Sequence, residues 1–440
     1  MDPCGVNLSA DAIVVGAGVI GSSIALELAR TGLRVVVVDR LSGPGQGSTS
    51  SSSAVVRFNY SIFPSVAAAW ESKHCWEDWA GHLGIVDPAG MASFRRTGMA
   101  FLDVDVAPIK KVIPLFDRAG VPYELWDATT LADRVPGLDP GRFWPPKRLD
   151  DESFWDDPVD QLGALWTPDG GYVDDPMLAA VNLAAAARQA GAQFIFRSQV
   201  TAVRRSGGRV AGVDLADGER LSAPVVVNVA GPWSPTLNKM AGVGDDFSIT
   251  TRPMRQEVHH VTAPPGFNDG DRIGPVIADL DLGTYMRGTP GNGFYIGGTE
   301  PECDPLPWID DPDSADLDPT LAAFETQVIR AARRFGELGV PSRPRGIAGI
   351  YDVSTDWTPI YDRTGLDGFY VAIGTSGNQF KNAPVAGQFM RDIIVAVEAG
   401  HDHDANPVQY QGERTGLTVD LGAYSRRRRI NADSSGTVMG

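Results

Sequence analysis

Residues 12–39 read AIVVGAGVIGSSIALELARTGLRVVVVD, and this stretch decides the fold class. It begins with the short apolar run Ala12–Val15, continues through a turn with glycines at 16, 18 and 21, and then has the apolar spacing of a helix. A second apolar run, Val35–Val38, ends at Asp39. The order of strand, glycine turn, helix, strand and acidic residue predicts a βαβ unit that binds a dinucleotide.

Each glycine of the turn has a separate expected function. Gly16 allows the tight turn, Gly18 lets the backbone approach a pyrophosphate, and Gly21 lets the helix pack close to the strand. The helix N-terminus offers unpaired N–H groups and a partial positive charge to the phosphates. We expect Asp39 to accept hydrogen bonds from the adenosine ribose hydroxyls. The motif by itself does not separate FAD from NAD.

A run of small residues, GPGQGSTSSSS at 43–53, follows the βαβ unit. Its composition is typical of a flexible linker. Its position next to the nucleotide motif favours another interpretation, because small hydroxyl residues with free backbone N–H groups can line a phosphate or a ribityl chain. Ser48, Thr49 and Ser50 are therefore candidate cofactor-binding residues.

The composition argues against several classes of protein. The 440 residues carry a formal net charge of −17, which opposes binding to the phosphate backbone of nucleic acid. The three cysteines, Cys4, Cys75 and Cys303, are far apart and form no metal-binding or disulfide pattern. The first residues do not resemble an export signal, and no apolar run reaches about 18 residues. We therefore predict a cytoplasmic protein with no metal, nucleic-acid or membrane partner.

The end of the chain is unusually basic and then polar. We interpret the arginine run Arg426–Arg429 as part of a tail that pairs with the acidic body of the protein. Residues 431–440, NADSSGTVMG, are small and polar, and we predict that they are disordered.

The rest of the chain divides into two kinds of segment. Residues 174–191 have a helical pattern, and the following apolar runs suit the same sheet as the N-terminal unit. Other stretches contain strand-like runs without a βαβ rhythm. We predict an α/β fold in which a Rossmann-like domain is interleaved with a second domain built on a mixed or antiparallel β-sheet. The predicted Rossmann-like parts are 10–92, 172–245 and 350–411, the second domain comprises 93–171 and 246–349, and the tail is 412–440.

Three separated motifs occur in one order: DAIVVGAGVIGSSIALELARTGLRVVVVDR, then VVVNVAGPWS, then GFYVAIGTSGNQFKNAP. Together they resemble the D-amino acid oxidase superfamily of FAD-dependent amine oxidoreductases, and more closely its monomeric sarcosine oxidase branch. The resemblance covers about residues 10–410. It implies FAD rather than NAD, an FAD domain interleaved with a substrate domain, and oxidation of a C–N bond.

The resemblance also implies how the cofactor is held. Members of the branch attach FAD through a cysteine, but this chain has Gly349 at that place and no histidine within residues 40–60, so we expect non-covalent FAD. The implied cofactor-binding residues are Gly16, Gly18, Gly21, Asp39, Arg40, Ser48, Thr49, Ser50, Val200, Gly231, Gly349, Gly377, Asn378, Gln379, Phe380 and Lys381.

Substrate residues follow from the same resemblance. Arg57 and Lys381 match the pair that the branch uses for the substrate carboxylate, and a guanidinium and an ammonium suit that task. Tyr351 matches a tyrosine that faces the substrate, and Tyr285 and Arg287 are candidates for the pocket wall. Tyr295 stands where the family has its oxygen-activating lysine, so we expect the reduced enzyme to react more slowly with O2 than with an artificial dye. The electron acceptor is O2 or another carrier.

The sequence thus predicts an FAD-dependent oxidoreductase that oxidises the C–N bond of a secondary or tertiary (N-alkyl) amino acid. Hydride passes to flavin N5 and the resulting imine is hydrolysed. One alternative is an FAD-dependent 2-hydroxy acid dehydrogenase of the same superfamily, with His259 or His260 as the base. The other alternative is a flavoprotein subunit of a larger complex.

Overall fold

The computed structural model describes residues 7–440, which contain single strands between helices as well as runs of consecutive strands. The strands are β1 (Asn7–Ser9), β2 (Ala12–Val15), β3 (Val35–Val38), β4 (Val55–Val56), β5 (Phe94–Arg96), β6 (Met99–Leu102), β7 (Glu124–Trp126), β8 (Gly141–Arg142), β9 (Asp160–Gln161), β10 (Ala164–Thr167), β11 (Gly171–Val173), β12 (Gln193–Ile195), β13 (Val200–Ser206), β14 (Arg209–Leu215), β15 (Arg220–Ser222), β16 (Val225–Asn228), β17 (Thr251–Thr262), β18 (Val276–Asp279), β19 (Thr284–Thr289), β20 (Gly293–Gly298), β21 (Gly346–Ser354), β22 (Ile360–Arg363), β23 (Phe369–Ile373), β24 (Gln409–Gln411) and β25 (Thr418–Asp420). The α-helices are α1 (Val19–Arg30), α2 (Phe63–Glu77), α3 (Trp79–Leu83), α4 (Ile109–Ala119), α5 (Ala128–Arg134), α6 (Pro176–Gln189), α7 (Ser234–Ala241), α8 (Leu321–Arg334) and α9 (Ala383–Glu398).

A six-stranded sheet holds the predicted βαβ unit, in the order β12-β3-β2-β16-β23-β22. Neighbouring strands are parallel except for the edge pair β22 and β23. Successive side chains of a strand point to opposite faces, so Ala12 and Val14 join the core under α1, whereas Ile13 and Val15 join a second core with strands β13–β15 and α7. Both faces of the sheet are therefore covered by other elements. This agrees with strand β3, whose four valines put apolar side chains on both faces.

The strands of this sheet come from well-separated parts of the chain. For example, β2, β16 and β23 lie side by side. A second, eight-stranded sheet has the order β21-β17-β20-β19-β18-β6-β10-β7 and is antiparallel except where β18 meets β6. The predicted fold class, a Rossmann-like sheet with a second mixed sheet, is confirmed. The exact domain boundaries stay a prediction.

The serine-rich run after β3 is ordered by bonds to the second sheet. Ser48 Oγ donates to the Ile350 carbonyl oxygen at 2.7 Å, and Ser51 Oγ donates to that of Ala348 at 3.2 Å. Both acceptors lie in β21, which pairs along most of its length with the long strand β17. These bonds hold the end of the eight-stranded sheet against the nucleotide side of the molecule.

The predicted pairing of the arginine tail with the acidic body is confirmed, and the predicted disorder after it is wrong. Arg426 forms ion pairs with Asp246, Asp362 and Asp404. Residues 437–440 are buried, and Val438 and Met439 line a cavity described below. Within residues 7–440, no helix is long and apolar enough to cross a lipid bilayer.

A buried ion cluster fixes α8 to the eight-stranded sheet. Arg334 Nε lies 2.8 Å from Asp279 Oδ2, and Arg334 Nη2 lies 2.8 Å from Asp281 Oδ2. All three side chains are inaccessible to solvent. Burial, followed by the nearby Asp279 charge, raises the pKa of Asp281. The arginine therefore compensates two carboxylates that have no access to water.

Replacing Arg334 with methionine should leave these two carboxylates without their cation. We expect Arg334→Met to lower the free energy of unfolding by about 3–5 kcal/mol, since breaking a buried ion pair leaves an uncompensated charge. Urea unfolding of the purified variant measures the loss. Arg343→Met, at an exposed position, is the control and should change little. Equal stabilities of the two variants would contradict this account of the cluster.

Candidate active site

A cleft of about 380 Å³ runs across the carboxyl ends of the parallel strands in the six-stranded sheet. Val15, Val38 and Val229 line it from the ends of β2, β3 and β16. Ligands of open α/β sheets bind at this edge, where loops from neighbouring strands diverge. Residues from the glycine turn, the serine run and the 375–380 loop also line the cleft.

The glycine turn leaves no room for side chains at two positions. A Cβ on Gly16, whose φ is +115°, would lie 2.3 Å from the Val229 carbonyl oxygen, and a Cβ on Gly21 would lie 2.0 Å from the Gly16 oxygen. Helix α1 begins after Gly18 without a side-chain cap from that residue. Thr49 Oγ1 instead accepts a hydrogen bond from the Val19 N–H at 3.1 Å. The turn therefore brings backbone and the helix N-terminus to the cleft wall, as a pyrophosphate site requires.

Asp39 has a structural function that the sequence did not reveal. Its Oδ2 accepts a hydrogen bond from the Ala17 N–H at 2.7 Å, and its Oδ1 accepts one from the Leu41 N–H at 2.8 Å. The carboxylate thus ties the end of β3 to the glycine turn and also lines the cleft. Each oxygen retains a second lone pair for a ribose hydroxyl.

The predicted residue Arg40 lies in the cleft wall with Trp233 and Asp313, which sequence reasoning did not connect to it. The Arg40 guanidinium lies 4.2 Å from the centre of the Trp233 ring, and its Nη2 lies 2.5 Å from Asp313 Oδ1. Trp233 Nε1 donates to the same Asp313 oxygen at 2.8 Å. The hydrogen bond from Arg40 lowers the pKa of Asp313. Trp233 is in the quoted VVVNVAGPWS motif, but nothing in the spacing of Asp313 connects it to that motif.

The structure brings most of the predicted cofactor residues to the cleft and places a few elsewhere. Ser50 lies outside it, and its hydroxyl donates to the Gly47 carbonyl oxygen at 2.9 Å. Gly349 also lies outside, packed so that a Cβ would be 2.7 Å from Ser51 Cβ. Asn378 and Lys381 line an adjoining cavity instead. The predicted residues that line the cleft are Gly16, Gly18, Gly21, Asp39, Arg40, Ser48, Thr49, Val200, Gly231, Gly377, Gln379 and Phe380.

The adjoining cavity, of about 50 Å³, shares part of its wall with the cleft. Ser53, Tyr351 and Phe380 line both spaces. Arg57, Tyr285 and Lys381 line the smaller one only, together with Val438 and Met439. A molecule bound in the smaller cavity would therefore contact whatever occupies the near end of the cleft.

Arg57 and Lys381 are brought together in this cavity. Each cationic group lies 4.8 Å from the centre of the Tyr60 ring, on which both pack. Lys381 Nζ donates to the Asn378 carbonyl oxygen at 2.5 Å, and Arg57 Nη2 donates to that of Val438 at 2.6 Å. Among residues 7–440, no carboxylate lies within salt-bridge distance of either cation.

The electrostatics of the two cations favour an anionic ligand. Burial lowers the pKa of Arg57. Burial, and after it the Arg57 charge, lowers the pKa of Lys381 well below its ordinary value. A carboxylate placed between them would reduce both penalties, because it supplies the opposite charge that the desolvated groups lack.

The predicted tyrosines line the same cavity. Tyr285 Oη donates to Ser53 Oγ at 2.9 Å. The Tyr351 ring packs on Gly377, where a Cβ would lie 2.3 Å from the ring, and Gly377 has a φ of +68°. Both the ring contact and the left-handed backbone therefore require glycine at 377. Tyr351 is thereby held between the cleft and the cavity.

Arg287 and Tyr295, by contrast, line neither space in the described chain. Arg287 Nε donates to the Ser53 carbonyl oxygen at 3.0 Å, and its guanidinium lies 4.6 Å from the centre of the Tyr295 ring. The Tyr295 ring also contacts His260, edge to face, at 5.1 Å. Arg287 thus supports Ser53 from behind the cavity wall.

The histidine considered as a base is a structural residue. His259 is fully buried, with Nδ1 2.8 Å from Gln327 Oε1 and Nε2 3.1 Å from Glu257 Oε2. In the part of the chain that the structure describes, no histidine and no cysteine lines the cleft or the cavity. The base that a 2-hydroxy acid dehydrogenase would need is therefore not supplied by His259 or His260.

Two further residues of the cavity region were missed. Tyr60 carries the two cations, and its place three residues after Arg57 is a signal that could have been used. Glu300 is buried close to Arg57, and its pKa is raised to about 8, chiefly by burial. It lies two residues after the end of β20, and no spacing rule connects it to Arg57.

Comparison with known proteins agrees with this geometry. The family model described as DAO, FAD dependent oxidoreductase, matches residues 11–393. The chain belongs to this family. It is therefore an enzyme with FAD as its cofactor, and the recognition made from the three motifs is confirmed. The glycine turn, the helix N-terminus and the elongated cleft fit a dinucleotide of this kind.

The relatives share modest sequence identity over most of their length. FAD-dependent oxidoreductase domain-containing protein 1 from Bos taurus is 23% identical over 421 residues, which cover 88% of this chain and 81% of that protein. Sarcosine oxidase subunit beta from Rhodobacter capsulatus is 25% identical over 409 residues, which cover 87% and 84%.

Solved structures with the same fold include two that match nearly end to end. L-proline dehydrogenase from P. horikoshii has a TM-score of 0.74 at 22% identity, covering 96% of this chain and 98% of the other. Glycine oxidase from Geobacillus kaustophilus has a TM-score of 0.71 at 21% identity, covering 97% and 100%. The fold class is thus shared with flavoenzymes.

The wall of the site predicts that FAD is bound without a covalent link. Acid precipitation should release all of the yellow colour into the supernatant, since neither cysteine nor histidine side chains of the described chain reach the cleft. Absorbance of the supernatant and of the redissolved pellet measures the partition. Flavin that stays in the pellet after washing would contradict this expectation.

Asp39→Ala should weaken FAD binding. A charge-assisted acceptor contributes about 1.5–3 kcal/mol, so we expect the dissociation constant to rise roughly 10- to 150-fold. Titration of the apoprotein with FAD, followed by quenching of flavin fluorescence, measures it. Asp11→Ala is the matched control, because Asp11 pairs with Arg34 at the other end of β2. An unchanged constant for Asp39→Ala would place the ribose contact on another residue.

Proposed function

We propose that this enzyme oxidises the C–N bond of a secondary or tertiary N-alkyl amino acid and passes the electrons to O2 or another acceptor. The observation that carries the proposal is the pair of buried cations, Arg57 and Lys381, in a cavity that shares Ser53, Tyr351 and Phe380 with the FAD cleft. A ligand carboxylate held by the pair lies next to that shared wall.

The residues of the cavity can bind and orient such a substrate. Arg57 can donate two parallel hydrogen bonds to a carboxylate, and Lys381 adds a point charge. Holding the carboxylate fixes the direction of the neighbouring C–N bond, which is the contribution of positioning to rate. Tyr351, packed on Gly377, limits where the rest of the molecule can lie.

The same charges act on the protonation state of the amine. A protonated nitrogen has no lone pair to assist loss of hydride, so the neutral amine is the reactive form. Nearby positive charge disfavours the ammonium form and lowers its pKa. FAD, when bound, supplies the acceptor for the hydride. The chain therefore contributes binding, orientation and a bias towards the neutral amine.

The names of the relatives support an amino acid substrate. They include sarcosine oxidase subunit beta, D-amino acid dehydrogenase and, among solved structures, L-proline dehydrogenase and glycine oxidase. Sarcosine and proline are secondary amines with a carboxylate, which is the combination that the two cations and the flavin would serve.

An anaerobic substrate screen tests the proposal. N-methyl amino acids and 2-hydroxy acids are mixed separately with the holoenzyme, and the loss of the oxidised flavin absorbance is followed. We expect bleaching by one or more N-methyl amino acids and none by the 2-hydroxy acids. Bleaching by hydroxy acids alone would transfer the assignment to the dehydrogenase alternative. Purification as a single polypeptide that its substrate reduces would argue against a subunit that requires a partner.

Lys381→Met should damage substrate use while leaving FAD bound. Losing one charged partner of a desolvated contact costs about 2–5 kcal/mol, so kcat/KM should fall at least about 30-fold. The loss should shrink for an analogue whose carboxylate is replaced by an uncharged amide. Lys239→Met, at an exposed position on α7, is the matched control. Equal losses on both substrates would assign Lys381 to the flavin instead.

A further inference from the structure

Four residues, Thr437–Gly440, enter the cavity that contains Arg57 and Lys381. All four are buried, whereas residues 431–436 before them are exposed or half-buried. Val438 and Met439 form part of the cavity wall beside Lys381 and Tyr351. A Cβ on Gly440 would lie 2.7 Å from Tyr60 Cδ1, so this residue rests on the ring on which both cations pack.

One residue of this segment is bound at both ends of its backbone, by a guanidinium at its carbonyl and by a carboxyl group at its N–H. The Val438 carbonyl oxygen accepts from Arg57 Nη2 at 2.6 Å, and the Val438 N–H donates to Glu300 Oε2 at 2.7 Å. The bonded path from N through Cα to the carbonyl carbon is the same in a peptide residue and in a free α-amino acid. Arg57 and Glu300 are therefore spaced for an amine and a carboxyl group on one carbon.

Glu300 depends on this contact in the described structure. Its Oε1 is buried and has no hydrogen-bond partner there, while Oε2 accepts from Val438. Its backbone φ of +50° is in the left-handed region, which non-glycine residues adopt mainly at constrained sites. Burial raises the pKa of Glu300, and the hydrogen bond from the Val438 N–H opposes part of that rise.

The space left beside the segment is too small for a substrate. It measures about 50 Å³ and can hold only a few water molecules. An amino acid held by Arg57 and Lys381 must therefore take the place of Val438 and its neighbours.

The segment is attached in a way that permits this displacement. Asn431 is held by its N–H to Asp356 Oδ2 at 3.2 Å and by its Nδ2 to Ser61 Oγ at 2.8 Å. Between Asn431 and Thr437, the polar contact that the described chain makes with the rest of the protein is the exposed ion pair of Lys111 and Asp433, at 3.1 Å. The chain can thus swing at 432–436 while Asn431 stays in place.

We propose that residues 437–440 occupy the substrate position as a peptide mimic, and that Glu300 binds the substrate amine once the segment has left. The proposal rests on the proposed function, because it takes the ligand to be an amino acid. Substrate and segment then compete for the same two side chains, Arg57 and Glu300. Arg57 exchanges a carbonyl for a carboxylate, and Glu300 exchanges a peptide N–H for an amine.

The test uses holoenzyme and 2-aminoisobutyrate, an amino acid with no hydrogen on Cα and no N-alkyl group to oxidise. Its dissociation constant is measured by calorimetry for the full chain, for a chain ending after Gly436, and for Val438→Pro, which lacks the N–H that Glu300 accepts. We expect at least about 10-fold tighter binding by both altered chains. Ile430→Ala, exposed on the same tail, is the control and should bind like the full chain. Equal affinities throughout, or no binding by any chain, would overturn the proposal.

Two further measurements separate the parts of the proposal. In the shortened chain, Glu300→Gln should weaken 2-aminoisobutyrate at least about 10-fold but leave 2-methylpropanoate, which has no amine, unchanged. Equal weakening of both ligands would reduce Glu300 to a structural residue. In the full chain, saturating 2-aminoisobutyrate should accelerate hydrogen exchange at the Val438 and Met439 amides, and unchanged exchange would contradict displacement.

The failure of the proposed function would look different. If no N-methyl amino acid reduces the flavin in either the full or the shortened chain, while 2-aminoisobutyrate still binds the shortened chain more tightly, the assigned reaction is wrong and the competition stands.

Discussion

The burial of two cations without a carboxylate partner is the constraint on which the site depends. Arg57 and Lys381 are removed from water, yet they are compensated only by carbonyl oxygens and by the face of Tyr60. Hydrogen bonds to neutral carbonyl groups offset part of the free energy that the cations lose on leaving water, and an anionic partner offsets more of it. A fold that buries such a pair favours the binding of an anionic ligand between the two cations. That preference, set beside a flavin cleft, decides which molecules the enzyme can orient.

The two sheets place these groups where a flavin can be reached. The six-stranded sheet ends in a glycine turn whose close approaches exclude side chains, so the cleft floor is backbone. The eight-stranded sheet contributes β21, which the serine run holds against that cleft through Ile350 and Ala348. Tyr351 consequently stands at the junction of both spaces. If the proposed substrate site is correct, the six-stranded sheet serves the cofactor and the eight-stranded sheet serves substrate choice.

The sequence predicted the parts whose determinants are local. The β2–α1–β3 unit follows from apolar runs and glycine spacing within one stretch, and the family motifs pointed to Arg57 and Lys381. Glu300 and residues 437–440 escaped because their contacts join positions 138 and 381 residues apart. The small, polar composition of 431–440 predicted disorder. The backbone of Val438 is instead held by Arg57, which donates to its carbonyl oxygen, and by Glu300, which accepts from its N–H. The sequence comparison noted only that Tyr295 replaces a lysine. It did not show that Arg287, on the neighbouring strand, places a cation beside the Tyr295 ring.

Occupation of the cavity by residues 437–440, as proposed above, has an energetic explanation. A short flexible linker gives its end an effective concentration in the millimolar range, so a weak peptide contact suffices to fill the cavity when substrate is absent. Filling it satisfies one oxygen of Glu300 and one arm of Arg57, which would otherwise face a small desolvated space. The segment offers a neutral carbonyl oxygen to Arg57, whereas a substrate offers a full carboxylate. A guanidinium binds a carboxylate, by two hydrogen bonds and opposite charge, more strongly than it binds one neutral carbonyl. Substrate can therefore replace the segment without any change in the rest of the fold, and the strength of the peptide contact sets how much substrate is needed.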